Sequence, residues 1–444
     1  MAKAGPWIRN ASTLLGGGWR DGKALLVELL DVALSACDPS DRVRELIRVA
    51  DGQVFLGSHR ILPPTNIHFI GAGKASAPIA EAVEAALGAR LAGGLVVLKR
   101  GQVAATERIS VQWADHPVPS RDSLTAGQAL MDYLRHRVKP GDVVIAGFTG
   151  GSSALAAVPP ESVPWDAKVD LHRLLLASGA SINEINTVRK HVSQIKGGRL
   201  AALRPDVTFY NMTVSDVAGD ALDLITDPTV LDSSRYEDAV RVLRAYDLWD
   251  SVHPTVRRHL LSAPDPVEAL PQVQQSWVLV SGTTVANTVG HYLDQRHPEW
   301  PWTVFSTTIS GEAREVGRVL GAFARERAQR GERVIAILAG GETTVRLSPQ
   351  ELGQGGPNLE LALAFAIEVR GYPRIALASI DSDGQDGSTS VAGALVDGET
   401  VKEVKIFEEA LRTHQSLKLA QAQCGIETGQ TRTNVNDITL VVVG

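Results

Sequence analysis

At 444 residues the chain is too long for one ordinary hydrophobic core, and two or three domains are expected. A 44% hydrophobic and 21% charged composition is ordinary for a globular chain, and a net charge of −6 argues against nucleic acid as the main partner. Two cysteines, Cys37 and Cys424, exclude a disulfide framework or a cysteine-based zinc site, and no apolar run is long enough to cross a bilayer, so a reducing, cytoplasmic setting without a membrane partner is expected.

The N-terminal stretch MAKAGPWIRNASTLLGGGWR lacks the continuous apolar core and cleavage site of a secretory leader. The first informative segment is NIHFIGAGKASAPIAEAVEAAL, Asn66 to Leu87. An apolar run reads as a buried strand, breaks at Gly71-Ala72-Gly73 and passes at once into an Ala-rich helix. Such a junction is an anion site: free N–H groups and the positive end of the helix dipole meet there, and Lys74 adds a full charge. It is neither a Walker A loop nor a complete dinucleotide fingerprint, because Ser76 stands where the third glycine belongs. The plainer alternative is a tight turn whose glycines serve packing.

Short β-branched runs ending in glycines follow at Gly93–Gly101, Asp142–Gly151, Ser276–Thr284, Arg333–Thr344 and Arg374–Gly384. Their alternation with helical stretches predicts α/β architecture with mainly parallel sheets. Ligands then sit beyond the carboxyl ends of the strands. FTGGSSAL (Phe148–Leu155) offers a second anion cradle in Gly150, Gly151, Ser152 and Ser153, although Ser152 or Ser153 could simply cap a helix. The basic helix of Ile182–Ala201 puts Asn186, Arg189 and Ser193 on one stripe and carries Lys190 and Lys196. Asn211–Thr229 carries Asp216, Asp220, Asp223 and Asp227; Asp216, at a strand end, suits magnesium beside a phosphate site. The Pro- and Gln-rich Ser251–Gln275 marks a domain boundary, and Arg346–Asn358 reads as a loop over a site. DSDGQDGSTSVAGA (Asp381–Ala394) places three carboxylates in six residues, which points to a nearby cation or to good solvation. No histidine pair has metal spacing, and His116 and His191 read as structural or peripheral.

These segments together resemble the class II glycerate 2-kinase family, also labelled hydroxypyruvate reductase, whose C-terminal half is the MOFRL domain. The resemblance spans nearly the whole chain: IGAGKASAPIAEA, DHPVPSRDSLTAG, TGGSSAL, GASINEINTVRKHVSQIKGGRLA, SDVAGD, GEAREVG, LAGGETTV, GQGGPNLELALAFA, DSDGQDGSTSVAGA and TRTNVND. It implies a larger Rossmann-like domain at 20–255 and a smaller MOFRL domain at 270–444 facing a cleft, and transfer of the ATP γ-phosphoryl group to the 2-hydroxyl of D-glycerate with magnesium. Lys74 falls on the family's catalytic lysine. Three departures stand out. Pro357 replaces the arginine of GGRNxE, with Arg346, Arg189 and Arg432 as candidate substitutes; SGPT reads TDPT and is one residue shorter; TGxTGTNVxD reads TGQTRTNVND, which adds Arg432.

The expected site assigns catalysis to Lys74, Arg189 and Asp386, with Asp386 orienting the attacking hydroxyl. ATP is expected against Gly71, Gly73, Ser76, Gly150, Gly151, Ser152, Ser153, Lys196, Asn358, Thr431 and Asn434, and magnesium at Asp216, Asp381 and Asp383. The partners are then a small hydroxy acid and ATP, with a homodimer left open. The rival readings are a kinase for a four-carbon aldonate, a nicotinamide-dependent reductase, which lacks its GxGxxG and acidic partner here, and an inactive binding protein.

Overall fold

In the computed structural model, residues 6–63, 65–217, 222, 228–262, 273–346 and 353–444 are described. The chain divides into two units, Pro39–Leu279 and a second made of Met1–Asp38 with Val280–Gly444.

The first unit opens with a small antiparallel sheet, β1–β3 (Ile47–Ala50, Gln53–Leu56, His59–Ile61). Its main sheet holds β4 (Ile67–Ala72), β5 (Leu91–Lys99), β6 (Ile109–Ala114), β7 (Val143–Phe148), β8 (Thr208–Val214) and β9 (Val273–Val280), in the order β6-β5-β4-β7-β8-β9. The pairs β4–β5, β5–β6, β4–β7 and β7–β8 are parallel, as the sequence predicts. β4 and β7 are buried along their whole length, which is why they read as unbroken apolar runs. Ile70, Val97, Leu130, Phe148 and Phe209 share one core over this sheet.

The chain leaves β4 for β5 and β6 on one side, then returns over the helix Arg121–His136 to β7 on the other. The strand order therefore reverses between β4 and β7, and such a switch point opens a crevice at the strands' carboxyl ends. Ala72 pairs with Phe148, so both strands end level with each other.

The second unit contains β10 (Trp302–Ser306), β11 (Ser310–Glu312), β12 (Val334–Thr344), β13 (Ile375–Asp381), β14 (Gly393–Asp397), β15 (Gly425–Ile426) and β16 (Asp437–Val443). The order is β10-β12-β16-β13-β14-β15, with β11 beside β12. This sheet is mixed where a mainly parallel one was expected. β16, fully buried, inserts antiparallel to both β12 and β13. DITLVVV is thus a central strand that the sequence reading had not singled out.

The domain expectation also needs correcting at its N-terminal edge. The helix Arg20–Ala36 buries Leu26, Leu29, Leu30 and Ala33 against β13 and β16. Around it, the Trp19 amide donates to Asp397 at 2.9 Å, Lys23 lies 3.7 Å from the same carboxylate, and Thr433 donates to the Cys37 carbonyl at 2.7 Å. An apolar stripe shows which helix face is covered, not which sheet covers it. The boundary expected within Ser251–Gln275 holds an ordered helix, Pro254–Ser262, and the units separate after Leu279; residues 263–272 lie outside the described ones. Among the described residues no helix is long and apolar enough to cross a membrane.

Candidate active site

The two glycine loops predicted as anion cradles meet at the β4/β7 switch point. The Thr149 amide donates to Ala72 at 3.0 Å, and the Lys74 amide donates to Gly150 at 2.9 Å. Gly73 sits at φ +136°, and a Cβ there would come within 2.2 Å of the Thr149 hydroxyl. Only glycine allows that approach. The Lys74 stem and the His116 ring flank Gly151, 3.4 and 3.2 Å from where its Cβ would be. His116, expected to be structural or peripheral, belongs to this corner.

The predicted cradle of free amides at GAGK is not what forms. The Gly73 amide donates to Val97, Lys74 to Gly150, Ala75 to the Thr149 hydroxyl and Ser76 to Gly73. The Ser76 hydroxyl turns inward to the Gly147 carbonyl at 2.7 Å, and Gly71 packs against Gly147 and Phe69. Gly71, Gly73 and Ser76 thus lock the turn, as the packing alternative held. What the junction presents outward is the half-buried Lys74 at a helix N-terminus. The second loop differs: among the described residues no backbone acceptor takes the Gly150 or Gly151 amide. Gly151 lies at φ +86°, and Ser152 and Ser153 start a short helix.

Behind this corner lies a group of buried cations. The Pro117 carbonyl takes a hydrogen bond from His172, whose Nε2 meets Arg189 Nη2 at 2.9 Å. Lys168 donates to the Val192 carbonyl and Lys196 to the Ala156 carbonyl, both at 2.7 Å. Lys168, Arg189 and Lys196 are 2%, 7% and 1% exposed. Burial, then the neighbouring Arg189 charge, pushes the Lys168 ammonium down to about 7, and burial lowers Arg189 to about 10. Lys196 falls well below its ordinary value through burial and the charges of Lys168 and Arg189. The same causes drive His172 down to about 2, so it is neutral. The nearby Lys190 is different, since Asp232 pairs with it at 2.5 Å. The sequence pointed to Arg189 and Lys196 but not to Lys168 or His172, which sit in an unremarked helix, Trp165–Ala177. Asn186 and Ser193 are buried near Arg189 in sequence, and the Ser193 hydroxyl accepts from the Ile195 and Lys196 amides.

In the other unit, the acidic loop is largely occupied with its own architecture. Asp386 accepts from the Asn358 amide at 3.0 Å and the Leu359 amide at 2.8 Å. It thereby caps the helix Pro357–Glu368, at whose first position Pro357 needs no N–H. Both Asp386 oxygens are spent on that cap, which leaves little for orienting a hydroxyl. Asn358, expected to touch nucleotide, donates to Asp437 at 2.6 Å and accepts from the Ser379 hydroxyl at 2.6 Å. Thr431 donates to the Ser382 carbonyl, and Asn434 Oδ1 accepts from the Asn436 amide at 3.4 Å. Asp381 and Asp383 are half-buried and tie the turn together through the Asp383 and Gln385 amides. Arg432 adopts φ +62°, and Arg346 is exposed with its guanidinium 3.9 Å from Glu312.

Burial raises Asp386 to about 6 and Asp437 to about 7, the latter opposed by bonds from Asn358 and Thr343. A folded value above the unfolded one means stability that is present in acid and lost as pH rises from about 4 through about 7. The stability of the natural chain relative to Asp437→Asn should therefore fall between about pH 4 and about pH 7 in denaturant titrations and level off above that. A flat difference would mean that Asp437 does not titrate in that window.

Asp216 lies two residues past β8, half-buried, one strand from the switch. Asp220, Asp223 and Asp227 fall outside the described residues. Among the described residues no group of three or more His, Cys, Asp or Glu could hold a metal by itself.

Residues 25–261 match the family described as Domain of unknown function (DUF4147), and residues 335–437 match the MOFRL family. The chain is 33% identical to a glycerate 2-kinase of Pyrococcus horikoshii, covering 95% of this chain and 98% of that one. A glycerate kinase of Rattus norvegicus is 28% identical, over 94% of this chain and 92% of its own. The crystal structure of a glycerate kinase from Thermotoga maritima superposes with a TM-score of 0.79 at 30% identity, over 95% and 99% of the two chains.

Proposed function

We propose, because this chain belongs to the class II glycerate kinase family, that it transfers the γ-phosphoryl group of ATP to the 2-hydroxyl of D-glycerate, giving 2-phosphoglycerate and ADP. One observation carries the reading: the Lys74 stem lies against Gly151 at the switch point, where ligands of open parallel sheets bind. Phosphoryl transfer asks a protein mainly to position two reactants and to stabilise charge on the moving group.

In this reading the Lys74 ammonium neutralises charge on the transferring phosphoryl oxygens. The amides of Gly150 and Gly151 hold the phosphate chain, and Ser152 and Ser153 line the same loop. The helix Ser76–Leu87 adds its positive end. The donor set suits magnesium, which takes one or two carboxylates together with substrate phosphates. Within the first unit Asp216 would hold it and the ion would neutralise phosphate charge; within the second, Asp381 and Asp383 are the half-buried carboxylates that would serve a cation. Two free cysteines, one of them the buried Cys37, support a cytoplasmic setting.

A coupled ADP-release assay over D-glycerate, L-glycerate and four-carbon aldonates, with and without magnesium, tests the reading. D-glycerate-dependent ADP release that needs magnesium is expected. Pro357, in place of the family's arginine, is the reason a four-carbon aldonate stays in the panel as second reading. Oxidation of NADH with hydroxypyruvate, and no ADP from any acid, would replace a kinase with a reductase.

A further inference from the structure

Three cations, Lys168, Arg189 and Lys196, are buried together, and among the described residues none of them is ion-paired. Burying a single unpaired charge is expensive, and burying three that repel one another is more so. Their hydrogen bonding is also incomplete. Each ammonium has three donors, and Lys168 and Lys196 spend one apiece on a carbonyl. Arg189 gives Nη2 to His172 while its Nε–H has no partner. The Ser153 hydroxyl is a further buried group without a partner, three residues before the Ala156 carbonyl that Lys196 uses. Asp232, the nearby carboxylate, is committed to Lys190.

The cluster is also placed. His116 flanks Gly151 beside Lys74, Pro117 accepts from His172, and His172 holds Arg189. The cations therefore lie one short relay behind the corner assigned to the phosphoryl group. In glycerate the carboxylate is bonded directly to the carbon that carries the 2-hydroxyl, so it must sit close behind the attacking oxygen.

We propose that Arg189, Lys168 and Lys196 form the subsite for the acceptor's carboxylate, with neutral His172 as the positioning residue that aims the guanidinium. This rests on the hydroxy-acid kinase reading for the identity of the ligand. A carboxylate brings the missing negative charge, and its oxygens can take the open Nε–H and ammonium protons together. The small exposure of the three side chains selects an anion narrow enough to enter, and a neutral polyol gains nothing there.

Lys168→Gln removes the charge and keeps a donor for the Val192 carbonyl. In the full chain, D-glycerate binding by calorimetry without ATP and steady-state KM for D-glycerate should both weaken by roughly 30-fold, the scale of a charge-assisted hydrogen bond. The KM for ATP should stay within about two-fold of its natural value. Lys196→Gln should behave alike, and both ligand-free variants should melt no lower than the natural chain, since a repulsion has been relieved. A raised KM for ATP with unchanged D-glycerate binding would assign the cluster to the nucleotide and overturn the proposal. So would unchanged binding of both, or variants that melt well below the natural chain, which would make the lysines structural. Binding is read without turnover. A chain that binds D-glycerate through these residues but releases no ADP would fail the kinase reading and keep this one.

Discussion

Lys74→Ala should lower kcat by about 10³-fold or more, the cost of removing a preorganised group that meets charge developing in the transition state. The loss should be large because nothing local can stand in. The four amides from Gly73 to Ser76 already donate within the protein, so the turn cannot offer them to a phosphate instead. The variant should also stay folded. The Lys74 amide still reaches Gly150, and its carbonyl still accepts from Gln102 at 3.1 Å. Stability should change by no more than about 0.5 kcal/mol, as for most substitutions away from a buried network. Steady-state ADP release at saturating substrates, beside a thermal melt, separates the two effects. A turnover within about ten-fold of the natural enzyme would take Lys74 out of the chemistry.

Asn358→Ala should cost about 3–4 kcal/mol of folding stability, the range for breaking a buried polar network. Asn358 is 1% exposed and sits between three partners: Asp437, Asp386 and Ser379. Removing its side chain leaves the Asp437 carboxylate short of a donor and the Ser379 hydroxyl short of an acceptor. Ser379 keeps Thr439 at 2.7 Å, and Asp437 keeps the Thr343 amide at 3.0 Å, which bounds the damage. Denaturant titration without nucleotide is the direct measurement. If Asn358 instead served nucleotide, as its motif led us to expect, stability would hold while the KM for ATP rose.

The parallel sheet was legible because β4 and β7 are buried on both faces and must be apolar throughout. The place of Lys74, between the end of β4 and a helix start and with its stem against Gly151, was legible from the strand, glycine turn and helix pattern around it. Hydrogen bonding was not legible. Nothing local in GAGK says that the Thr149 hydroxyl, 74 positions away, consumes the Ala75 amide. Asp386 likewise read as one of three free carboxylates, yet its acceptors are occupied by a helix start 27 and 28 positions earlier. Lys168 and His172 escaped notice for a related reason. A lysine and a histidine in an ordinary amphipathic helix read as a solvated face until the fold surrounds them with other cations.

The pairing of Thr433 with the Cys37 carbonyl spans 396 positions, and the whole of Pro39–Leu279 lies between. During synthesis the parallel-sheet unit can therefore finish while the helix Arg20–Ala36 still waits for β13 and β16. At roughly 5–20 residues per second that wait is some tens of seconds, with an apolar helix face uncovered. A nascent-chain crosslinking experiment should find holdase chaperones on that face until β16 has emerged from the ribosome.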